Sequence, residues 1–394
     1  MQDKSTDPRR KILILATSYL PLIGGAELAI KDLTDRLSEF SFDLVTARTT
    51  SGLLRTERIG NVNVFRAGNA PSALNFFLPK VFLPVAIFFK ARTLLASKKY
   101  NLIYILQASQ AGGAGWLLRK FGRINQPVVI NLQEGKDFSR QAFLVRYFRR
   151  WIIKSADYYV VISTYLKDFL IAQGVIERHI FLIPNGVDGN YESRNTNQEL
   201  REKLGISLQD KVIITVSRLV EKNGIADLIK AMVFIKGNYF EPVKLLIVGD
   251  AEPRLSLESD LKNLTRELRL GSEVIFAGAV RHESIFSYLS LANVFVRPSY
   301  SEGLGTAFLE AMAVGVPVIG TRVGGIVDFI EEGQTGLYCA IGDSQDIGRK
   351  VIHVLSDKEL HDKLARQGQK LIQQKYDWDI VVKKFLNFYE TVTK

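Results

Sequence analysis

A short segment in the second half of the chain combines two carboxylates with two glycines. It reads SEGLGTAFLEAM at 301–312 and follows an apolar run that ends at Arg297-Pro298. Glycines let backbone N–H groups approach a ligand closely, and a helix starting near Thr306 would offer its free amides and positive dipole end to a phosphate. Glu302 and Glu310 accept hydrogen bonds only, which suits sugar hydroxyls on either side of that phosphate. The segment therefore predicts a site for a phosphorylated carbohydrate.

The alternative interpretation of this segment is structural. Glu302 would then merely flank a helix cap, and Glu310 would lie on a solvated helix face. The apolar residues Ala311–Val314 that follow Glu310 argue against this, because they predict a buried helix in which an unpaired carboxylate would be costly.

Two cations early in the same half could stabilise an anionic leaving group. Arg218 closely follows the apolar run Val212–Val216, so it would emerge at the carboxyl end of a strand, where ligands bind in open α/β sheets. Lys222 lies one turn further along. Fixed cations at such a position stabilise an anionic group most strongly when its charge grows during a reaction. The alternative is a surface pair on an ordinary strand-to-helix loop.

Short apolar runs alternate with longer amphipathic stretches along the chain, which is the pattern of βα units with a parallel sheet. We predict strands at 11–16, 42–47, 63–66, 102–106, 128–132, 158–162 and 180–183, and then at 211–217, 243–248, 274–277, 294–296 and 317–320. Predicted helices include 26–40, 142–154, 225–235, 257–270, 306–314 and 378–392. Turn residues at 184–190 and a polar, non-periodic stretch after them mark the break between two doubly wound α/β domains.

Placed on these elements, the motifs resemble those of retaining glycosyltransferase family 4, whose members have the GT-B fold. Glu302 and Glu310, with seven residues between them, resemble the signature of the family, and 217–224 resembles its basic diphosphate motif. The resemblance extends over essentially the whole chain through further segments at 21–27, 184–188, 324–325 and 333–336. Each segment is short, and their order and spacing together carry the resemblance.

The resemblance implies two Rossmann-like doubly wound domains that face each other across a cleft. It implies an acceptor-side domain at 1–189, a nucleotide-sugar-binding domain at 190–375, and a helix at 376–394 that crosses back to the first domain. The implied donor contacts are Gly24, Gly25, Arg218, Lys222, Glu302, Gly303, Leu304, Gly305, Thr306 and Glu310. Arg218, Lys222 and Glu302 are the implied catalytic residues.

The glycine pair allows a second interpretation, and the basic loop and Gln133 depart from the pattern of the family. Gly24 and Gly25 could simply form a tight turn before the first helix. The family often has its lysine immediately before the glycine, whereas Asn223 intervenes here between Lys222 and Gly224. Many relatives have a donor-contacting histidine at the position of Gln133, which can form hydrogen bonds with a sugar but cannot titrate near neutral pH. Gln133 could equally be a polar residue that ends a strand.

The implied reaction is transfer of a hexosyl group from a nucleoside-diphosphate sugar to a hydroxyl of a glycan or a lipid-linked acceptor. The configuration of the anomeric carbon would be retained, because the reaction takes place on one face of the sugar. No Asp-x-Asp follows a strand where it could hold a metal-bound nucleotide, since Asp377-Trp378-Asp379 opens the final predicted helix. We therefore expect no cofactor and no metal, with arginine, lysine and helix dipoles in the role of the cation. The sequence leaves UDP, GDP and ADP open as the nucleotide.

The composition excludes several other classes of protein. A chain of 394 residues with 47% hydrophobic and 24% charged residues is not predominantly disordered, and its length suits two domains. The single cysteine, Cys339, excludes an internal disulfide framework and fits a reducing compartment. A nicotinamide-dependent dehydrogenase is disfavoured, because 21–27 lacks the G-x-G-x-x-G spacing. A nucleotide-sugar epimerase or hydrolase without an acceptor and a basic nucleic-acid-binding protein remain as alternatives.

The positive charge is concentrated in the first half of the chain. Residues 1–190 contain 26 Lys and Arg against 14 Asp and Glu, whereas residues 191–394 contain 26 against 27. Phe138–Lys154 interleaves basic and aromatic residues, which favours an interfacial helix on anionic lipid, and Leu74–Phe89 could add a second contact. The alternative is a helix that packs its apolar stripe into the core.

We predict no transmembrane helix, because Leu74–Phe89 is short and interrupted by prolines, and no signal peptide, because the apolar run 12–16 is too short. The open choice is between a cytoplasmic protein free of the membrane and one attached peripherally to its cytoplasmic face.

Overall fold

The computed structural model describes residues 10–21, 24–68, 78–135, 142–189, 198–251 and 257–394. Parts of four segments discussed above lie outside the described residues, namely 22–23, 74–77, 138–141 and 190–197. The chain divides into two compact units. The first comprises Met1–Asn185 with Val381–Lys394, and the second comprises Gly186–Ile380. Each contains a largely or wholly parallel sheet with helices packed against it, so the prediction of two doubly wound α/β domains is confirmed.

The described residues of the first unit form a sheet in the order β3-β4-β2-β1-β5-β6-β7-β8. Its strands are β1 (Arg10–Leu15), β2 (Phe40–Ala47), β3 (Thr56–Ile59), β4 (Val62–Ala67), β5 (Leu102–Leu106), β6 (Val128–Leu132), β7 (Tyr158–Val161) and β8 (Ile180–Leu182). Every pairing is parallel except that of β3 with β4. The sequence does not predict β3, because this edge strand buries none of its residues and lacks an apolar run.

Helices α1 (Gly25–Arg36), α2 (Leu78–Ser97), α3 (Gln110–Phe121), α4 (Phe143–Ile153) and α5 (Thr164–Ala172) accompany this sheet. The prediction that the first helix continues to Phe40 is wrong. Phe40 begins β2 instead and is fully buried, with its ring 4.7 Å from that of Tyr389 near the end of the chain. The helix ends early because this aromatic residue is needed in the core.

Three glycines allow α3 to pack closely against three different neighbours. A Cβ atom at Gly115 would collide with Ile105 of β5, and one at Gly112 would collide with Ile152 of α4. A Cβ at Gly113 would crowd Pro84 of α2, at 3.2 Å. Helices α2, α3 and α4 therefore form one layer on the sheet, with the backbone of α3 as its centre.

Helix α2 continues through Pro84 and has 20 residues, so it extends beyond the Leu74–Phe89 segment considered from the sequence. Among the helices of the described residues, none combines the length and apolar character that crossing a membrane requires.

The described residues of the second unit form a wholly parallel sheet in the order β11-β10-β9-β12-β13-β14. Its strands are β9 (Lys211–Val216), β10 (Val243–Val248), β11 (Val274–Gly278), β12 (Val294–Arg297), β13 (Val318–Thr321) and β14 (Leu337–Cys339). All but β14 are predicted from the sequence. Three residues at a sheet edge are too few to give a periodic signal, which explains why β14 is not.

The helices of this unit are α6 (Gln198–Lys203), α7 (Ile225–Asn238), α8 (Leu257–Glu267), α9 (Ile285–Leu289), α10 (Thr306–Ala313), α11 (Ser344–Ser356) and α12 (Lys358–Leu371). Helix α13 (Trp378–Val392) starts in the second unit and ends in the first. The predicted continuation of α8 to Leu270 is wrong, because Arg269 adopts a left-handed conformation with φ of 55°.

A buried carboxylate connects β2 to its surroundings and makes the stability of the first unit dependent on pH. Asp43 accepts hydrogen bonds from Lys98 Nζ at 2.7 Å, Tyr100 Oη at 2.6 Å and Asn63 Nδ2 at 2.9 Å. Burial by itself would raise the pKa of Asp43, but the hydrogen bonds from Lys98, Tyr100 and Asn63 outweigh it and hold the pKa below its usual value.

We expect Asp43→Asn to lower the free energy of unfolding at neutral pH by about 2–4 kcal/mol, because Lys98 and Tyr100 lose a charged acceptor. A carboxyl group with a lowered pKa stabilises the fold above its unfolded pKa of about 4, and this contribution disappears as the pH falls through the folded value. Urea unfolding between neutral and acidic pH should therefore show the two proteins converging in acid. Exposed Asp168→Asn is the control, and a constant difference at all pH values would contradict the assignment.

Candidate active site

The carboxyl ends of β9, β12 and β13 bring together most of the residues singled out in the second half. From β9 the chain continues through β10 to β11 on one side, and β12 then joins the other side of β9. The strand order therefore reverses between β9 and β12, which is where open α/β sheets bind ligands. The loops 217–224, 298–305 and 322–325 follow these three strands.

Backbone hydrogen bonds hold the first two of these loops side by side. Tyr300 N donates to the carbonyl oxygen of Lys222 at 2.7 Å, and Lys222 Nζ donates to the carbonyl oxygen of Ser301 at 3.4 Å. Tyr300 Oη also donates to Asp227 Oδ2 at 2.5 Å, and this hydrogen bond raises the pKa of the phenol. The ammonium group of Lys222 thus lies next to the loop that contains Glu302.

Asn223 explains why the basic loop departs from the expected pattern. Its side chain is buried, and its Nδ2 donates to the carbonyl oxygen of Arg218 at 2.8 Å. The amide thereby closes the loop on which Arg218 and Lys222 lie. A lysine at position 223 could not bury its charge there without a partner.

The sequence does not predict the partner of Glu302, which is Arg297 at the end of β12. Arg297 Nη2 donates to Glu302 Oε2 at 2.8 Å, and Nη1 donates to the carbonyl oxygen of Val216 at 3.2 Å. Its guanidinium lies 4.8 Å from the ring centroid of Phe308, and only 7% of its side chain is exposed. The signal is an arginine that directly follows the apolar residues of a buried strand, because such a charge requires a carboxylate.

Both oxygens of Glu302 are therefore held in place. Oε2 pairs with Arg297, and Oε1 accepts from the backbone N–H of Gly303 at 3.0 Å. The side chain is 14% exposed, so the carboxylate is fixed without being sealed from solvent. This arrangement fixes the carboxylate and leaves lone pairs that can accept further hydrogen bonds with little further loss of side-chain entropy.

Helix α10 begins directly after this loop. Gly305 precedes it with φ of 94°, a left-handed conformation, and a Cβ there would lie 3.1 Å from Arg297 Nη2. Within the described residues no side chain caps the helix, so the amides of its first turn lack a side-chain acceptor. Leu304 is almost fully buried, which leaves its backbone rather than its side chain to face a ligand.

The glycine pair after β13 packs against the backbone of Glu302. Gly324 has φ of 51°, and a Cβ on it would collide with the carbonyl oxygen of Glu302. Gly325 N donates to the same oxygen at 3.3 Å. The late glycine pair of the sequence pattern thus supports the loop that contains the first glutamate of the signature.

Glu310 is buried on α10 and has a histidine partner that the sequence does not predict. Glu310 Oε1 lies 2.9 Å from Nε2 of His282, and the two side chains are 7% and 29% exposed. A carboxylate can only accept, so the imidazole Nε2–H donates. His282 lies between β11 and α9, far from α10 in sequence, so no local pattern connects the pair.

The first unit also has a switch point, between β1 and β5. There Thr17 Oγ1 and Ser109 Oγ share a hydrogen bond of 3.0 Å between the loops that follow these strands. Gly24 caps α1 in an extended conformation, and a Cβ at Gly25 would meet no described atom within 4 Å. The turn therefore does not itself require glycine at position 25.

Gln133 lies just beyond β6 at the same edge of the first sheet. Its Oε1 accepts from Asn185 Nδ2 at 3.3 Å, and its side chain is only partly buried. The next residue, Glu134, is buried and accepts hydrogen bonds from Ala108 N at 3.1 Å and Arg149 Nη1 at 2.8 Å. The residues predicted in the two halves thus lie at the carboxyl edges of two separate sheets.

Two family models match the chain. The model described as Glycosyltransferase Family 4 matches residues 23–190, and the model described as Glycosyl transferases group 1 matches residues 196–371. The segment 301–312 and the loop 217–224 both lie within the second match.

Curated relatives include two bacterial proteins that match about half of the chain. The chain is 30% identical over 217 residues to N-acetyl-alpha-D-glucosaminyl L-malate synthase of Bacillus anthracis, covering 55% of each protein. It is 33% identical over 201 residues to the capsular polysaccharide biosynthesis glycosyltransferase CapM of Staphylococcus aureus, covering 50% of this chain and 51% of CapM. The chain thus matches about half the length of these two relatives.

Solved structures match over nearly the whole chain. Sucrose-phosphate synthase from Thermosynechococcus elongatus has a TM-score of 0.82 at 23% identity, covering 97% of this chain and 99% of that one. HepE of Anabaena, solved with UDP and glucose, has a TM-score of 0.80 at 22% identity, covering 97% and 100%. These likenesses establish the fold.

Two glycines with left-handed conformations provide a test of how the site is supported. We expect Gly333→Ala, where a Cβ would meet no described atom within 4 Å, to cost only the left-handed strain of about 1–2 kcal/mol. Gly324→Ala should cost roughly twice as much or more, because the carbonyl of Glu302 must also move. Urea unfolding of both variants measures the difference. Equal losses would show that the collision at Gly324 is relieved at no cost.

Proposed function

Because the chain belongs to the glycosyltransferases of group 1 and family 4, we propose that it transfers a hexosyl group from a nucleoside-diphosphate sugar to a hydroxyl of a glycan or lipid-linked acceptor. Its two Rossmann-like domains have the GT-B fold. The observation that carries the proposal is the carboxylate of Glu302, which Arg297 holds next to the loop that contains Lys222. A fixed acid beside cations suits a sugar that is joined to a diphosphate.

We assign the diphosphate to the cations and backbone amides of this site. Arg218 and Lys222, both basic residues, lie on the loop that Asn223 closes. The backbone amides of Leu304–Thr306, at the N-terminus of α10, add donors of positive partial charge. These groups bind the departing diphosphate more strongly than the intact sugar nucleotide, because the negative charge of the diphosphate grows as the glycosidic bond breaks.

The sugar hydroxyls are assigned to the two glutamates. Glu302 is held by Arg297 and Gly303, so it can accept hydrogen bonds from hydroxyls without reorganising. Glu310 is held by His282 in the same way. We assign Glu302, Arg218 and Lys222 to catalysis, and Glu310 to donor binding.

The reaction proceeds on one face of the sugar. The bond between the anomeric carbon and the diphosphate oxygen breaks first, through an oxocarbenium-like state that the cations stabilise. The acceptor oxygen then bonds to that carbon on the same face, and its proton passes to the departing diphosphate. The anomeric configuration is retained, and the products are the glycosylated acceptor and a nucleoside diphosphate.

We propose that the transfer needs neither a divalent metal nor a cofactor. Arg218, Lys222 and the amides of α10 supply the positive charge that a metal would otherwise provide. Among the described residues, no group of three or more His, Cys, Asp or Glu side chains is placed to hold a metal ion.

In the first unit we assign Gly24, Gly25 and Gln133 to substrate contacts. The open space at Gly25 would let the backbone approach a ligand closely. The amide of Gln133 can both donate to and accept from a hydroxyl. We exclude general-base catalysis by Gln133, because an amide does not titrate.

The acceptor and the location belong to the same proposal. Relatives are named for capsular polysaccharide biosynthesis and, in Salmonella typhimurium, as a lipopolysaccharide 1,2-N-acetylglucosaminetransferase, which is 28% identical over 57% of this chain and 60% of that protein. We therefore propose a role in making a cell-envelope polysaccharide or glycolipid, with the protein attached peripherally to the cytoplasmic face of the membrane. The excess of positive charge in residues 1–190 supports this location.

A screen of donors tests the nucleotide and the metal together. We expect one of the UDP-, GDP- or ADP-sugars to raise the Tm clearly, because a ligand that binds only the folded state stabilises it. The shift should be unchanged by EDTA. No shift with any sugar nucleotide, or a shift that EDTA abolishes, would contradict the proposal. Product analysis with and without acceptor distinguishes transfer from a hydrolase or epimerase, and a DNA-binding assay tests the nucleic-acid alternative.

Removal of one cation tests the assignment of the leaving group. We expect Arg218→Gln to lower kcat by about a hundredfold with a smaller change in KM, because the lost interaction is strongest in the transition state. Exposed Arg281→Gln, outside the three loops, is the matched control. Steady-state kinetics with the donor identified by the screen measures both. Normal turnover of Arg218→Gln would remove this residue from the mechanism.

A further inference from the structure

The layer of α2, α3 and α4 leaves large apolar side chains exposed. We use the term aromatic face for these residues: Phe82 and Phe89 of α2, Phe121 of α3, and Phe143, Leu144, Tyr147, Phe148 and Trp151 of α4. Each is between 45% and 70% exposed, and Ile153 is the only residue of α4 that is buried. The alternative of a helix that packs its apolar stripe into the core therefore fails for α4. The aromatic residues of α4 form a cluster, since the rings of Phe143, Phe148 and Trp151 all lie within 6.4 Å of the ring of Tyr147. Exposed apolar surface of this kind marks an interaction site.

The charge of this layer restricts the kind of partner. Helices α2, α3 and α4 contain three, two and three Lys or Arg residues and no Asp or Glu. Arg146 and Arg150 are exposed among the aromatic residues of α4. A second copy of the chain would bring like charges against each other, which disfavours a symmetric dimer through this face. An anionic surface with an apolar interior complements both features.

A shallow cavity of about 350 Å³, largely open to solvent, lies between the C-terminal ends of α3 and α4. Its lining consists of Trp116, Arg119, Lys120, Trp151, Lys154 and Ser155. The indole rings of Trp116 and Trp151 lie 5.9 Å apart, and Arg119 pairs with Asp157. Lys120 and Lys154 thus give the cavity a net positive charge. The two tryptophans beside them belong to a residue type that is enriched at the headgroup level of bilayers.

We propose that the aromatic face docks on a bilayer containing anionic phospholipid, and that the cavity between α3 and α4 binds the phosphate of one lipid headgroup. The aromatic side chains enter the boundary between headgroups and acyl chains, and Arg146 and Arg150 contact neighbouring headgroups. This inference rests on the proposed action at a membrane surface and names the residues that make the contact.

The inner side of α4 connects this docking to the edge of the first sheet. Arg149 points away from the aromatic face and pairs with Glu134 at 2.8 Å, with only 11% and 6% of the two side chains exposed. Glu134 directly follows Gln133, the residue proposed to contact a substrate. A docked α4 would therefore hold the sheet edge that contains Gln133 at a fixed distance from the lipid surface. The hydroxyl of a lipid-linked acceptor would lie near the same surface.

Sedimentation of the full chain with vesicles tests the proposal. We expect binding to vesicles of phosphatidylglycerol and phosphatidylcholine at low salt, and little binding to phosphatidylcholine alone. Phe148→Ser should weaken binding about tenfold by removing buried apolar area. Phe240→Ser, a change at a fully exposed phenylalanine of the second unit, should have no effect. Absence of binding to the anionic vesicles, or equal effects of the two substitutions, would overturn the proposal.

Two charge-neutralising pairs test the cavity itself. Each cation near an anionic surface contributes about fivefold to binding, so Arg146→Gln with Arg150→Gln should weaken it about 25-fold. The double substitution Lys120→Gln and Lys154→Gln should weaken vesicle binding more than the Arg146 and Arg150 pair does, because these two lysines also contact one phosphate directly. Equal losses for the two pairs would overturn the headgroup site.

Turnover of the soluble donor separates this inference from the proposed function. With a water-soluble acceptor, the Phe148→Ser variant should keep the turnover of the full chain, whereas Glu302→Gln should lose turnover and still sediment with vesicles. Normal turnover without vesicle binding would overturn the docking inference alone, and vesicle binding without sugar-nucleotide turnover would overturn the transferase proposal alone. A concentration-dependent dimer that Phe148→Ser dissociates would show that the face binds a second copy instead.

Discussion

An almost fully buried guanidinium at the end of a strand needs a carboxylate, and Arg297 meets this need with Glu302. The other features of the loop follow from this pair. Gly305 adopts a left-handed conformation with the guanidinium next to it, and Phe308 covers the face of the same group. Gly324 must leave room for the carbonyl of Glu302. Two glycines of the pattern thus lie against the residues of this ion pair.

The three loops meet because their strands are parallel neighbours. Hydrogen bonds between Tyr300 and Lys222, and between Gly325 and Glu302, join loops that are about 80 and 20 residues apart in sequence. Local loop structure depends on side chains that contact no ligand, such as Asn223. The candidate site is therefore rigid for reasons that lie in the sheet and its turns rather than in the residues proposed for chemistry.

The sequence correctly predicts those elements whose signal is local and apolar. The buried strands, the position of Glu302 before α10, and α13 at Trp378–Val392 all agree with the structure. It does not predict contacts between distant residues, such as Glu310 with His282, because no local pattern connects the two positions. It also misplaces the end of α1, where helical periodicity continues into Phe40 but the core requires that residue in β2. Edge strands β3 and β14 are missed because they are short, and β3 in addition buries none of its residues.

The glycines of α3 have a mechanical consequence for the first unit. Where α3 meets Ile105, Ile152 and Pro84, its main chain touches all three without a side chain in between. A flexible side chain can change rotamer and take up a small displacement of its neighbour, but a peptide backbone in a helix cannot. The close contacts of α3 with Ile152 and Ile105 therefore leave little room for α4 or β5 to shift independently against this helix.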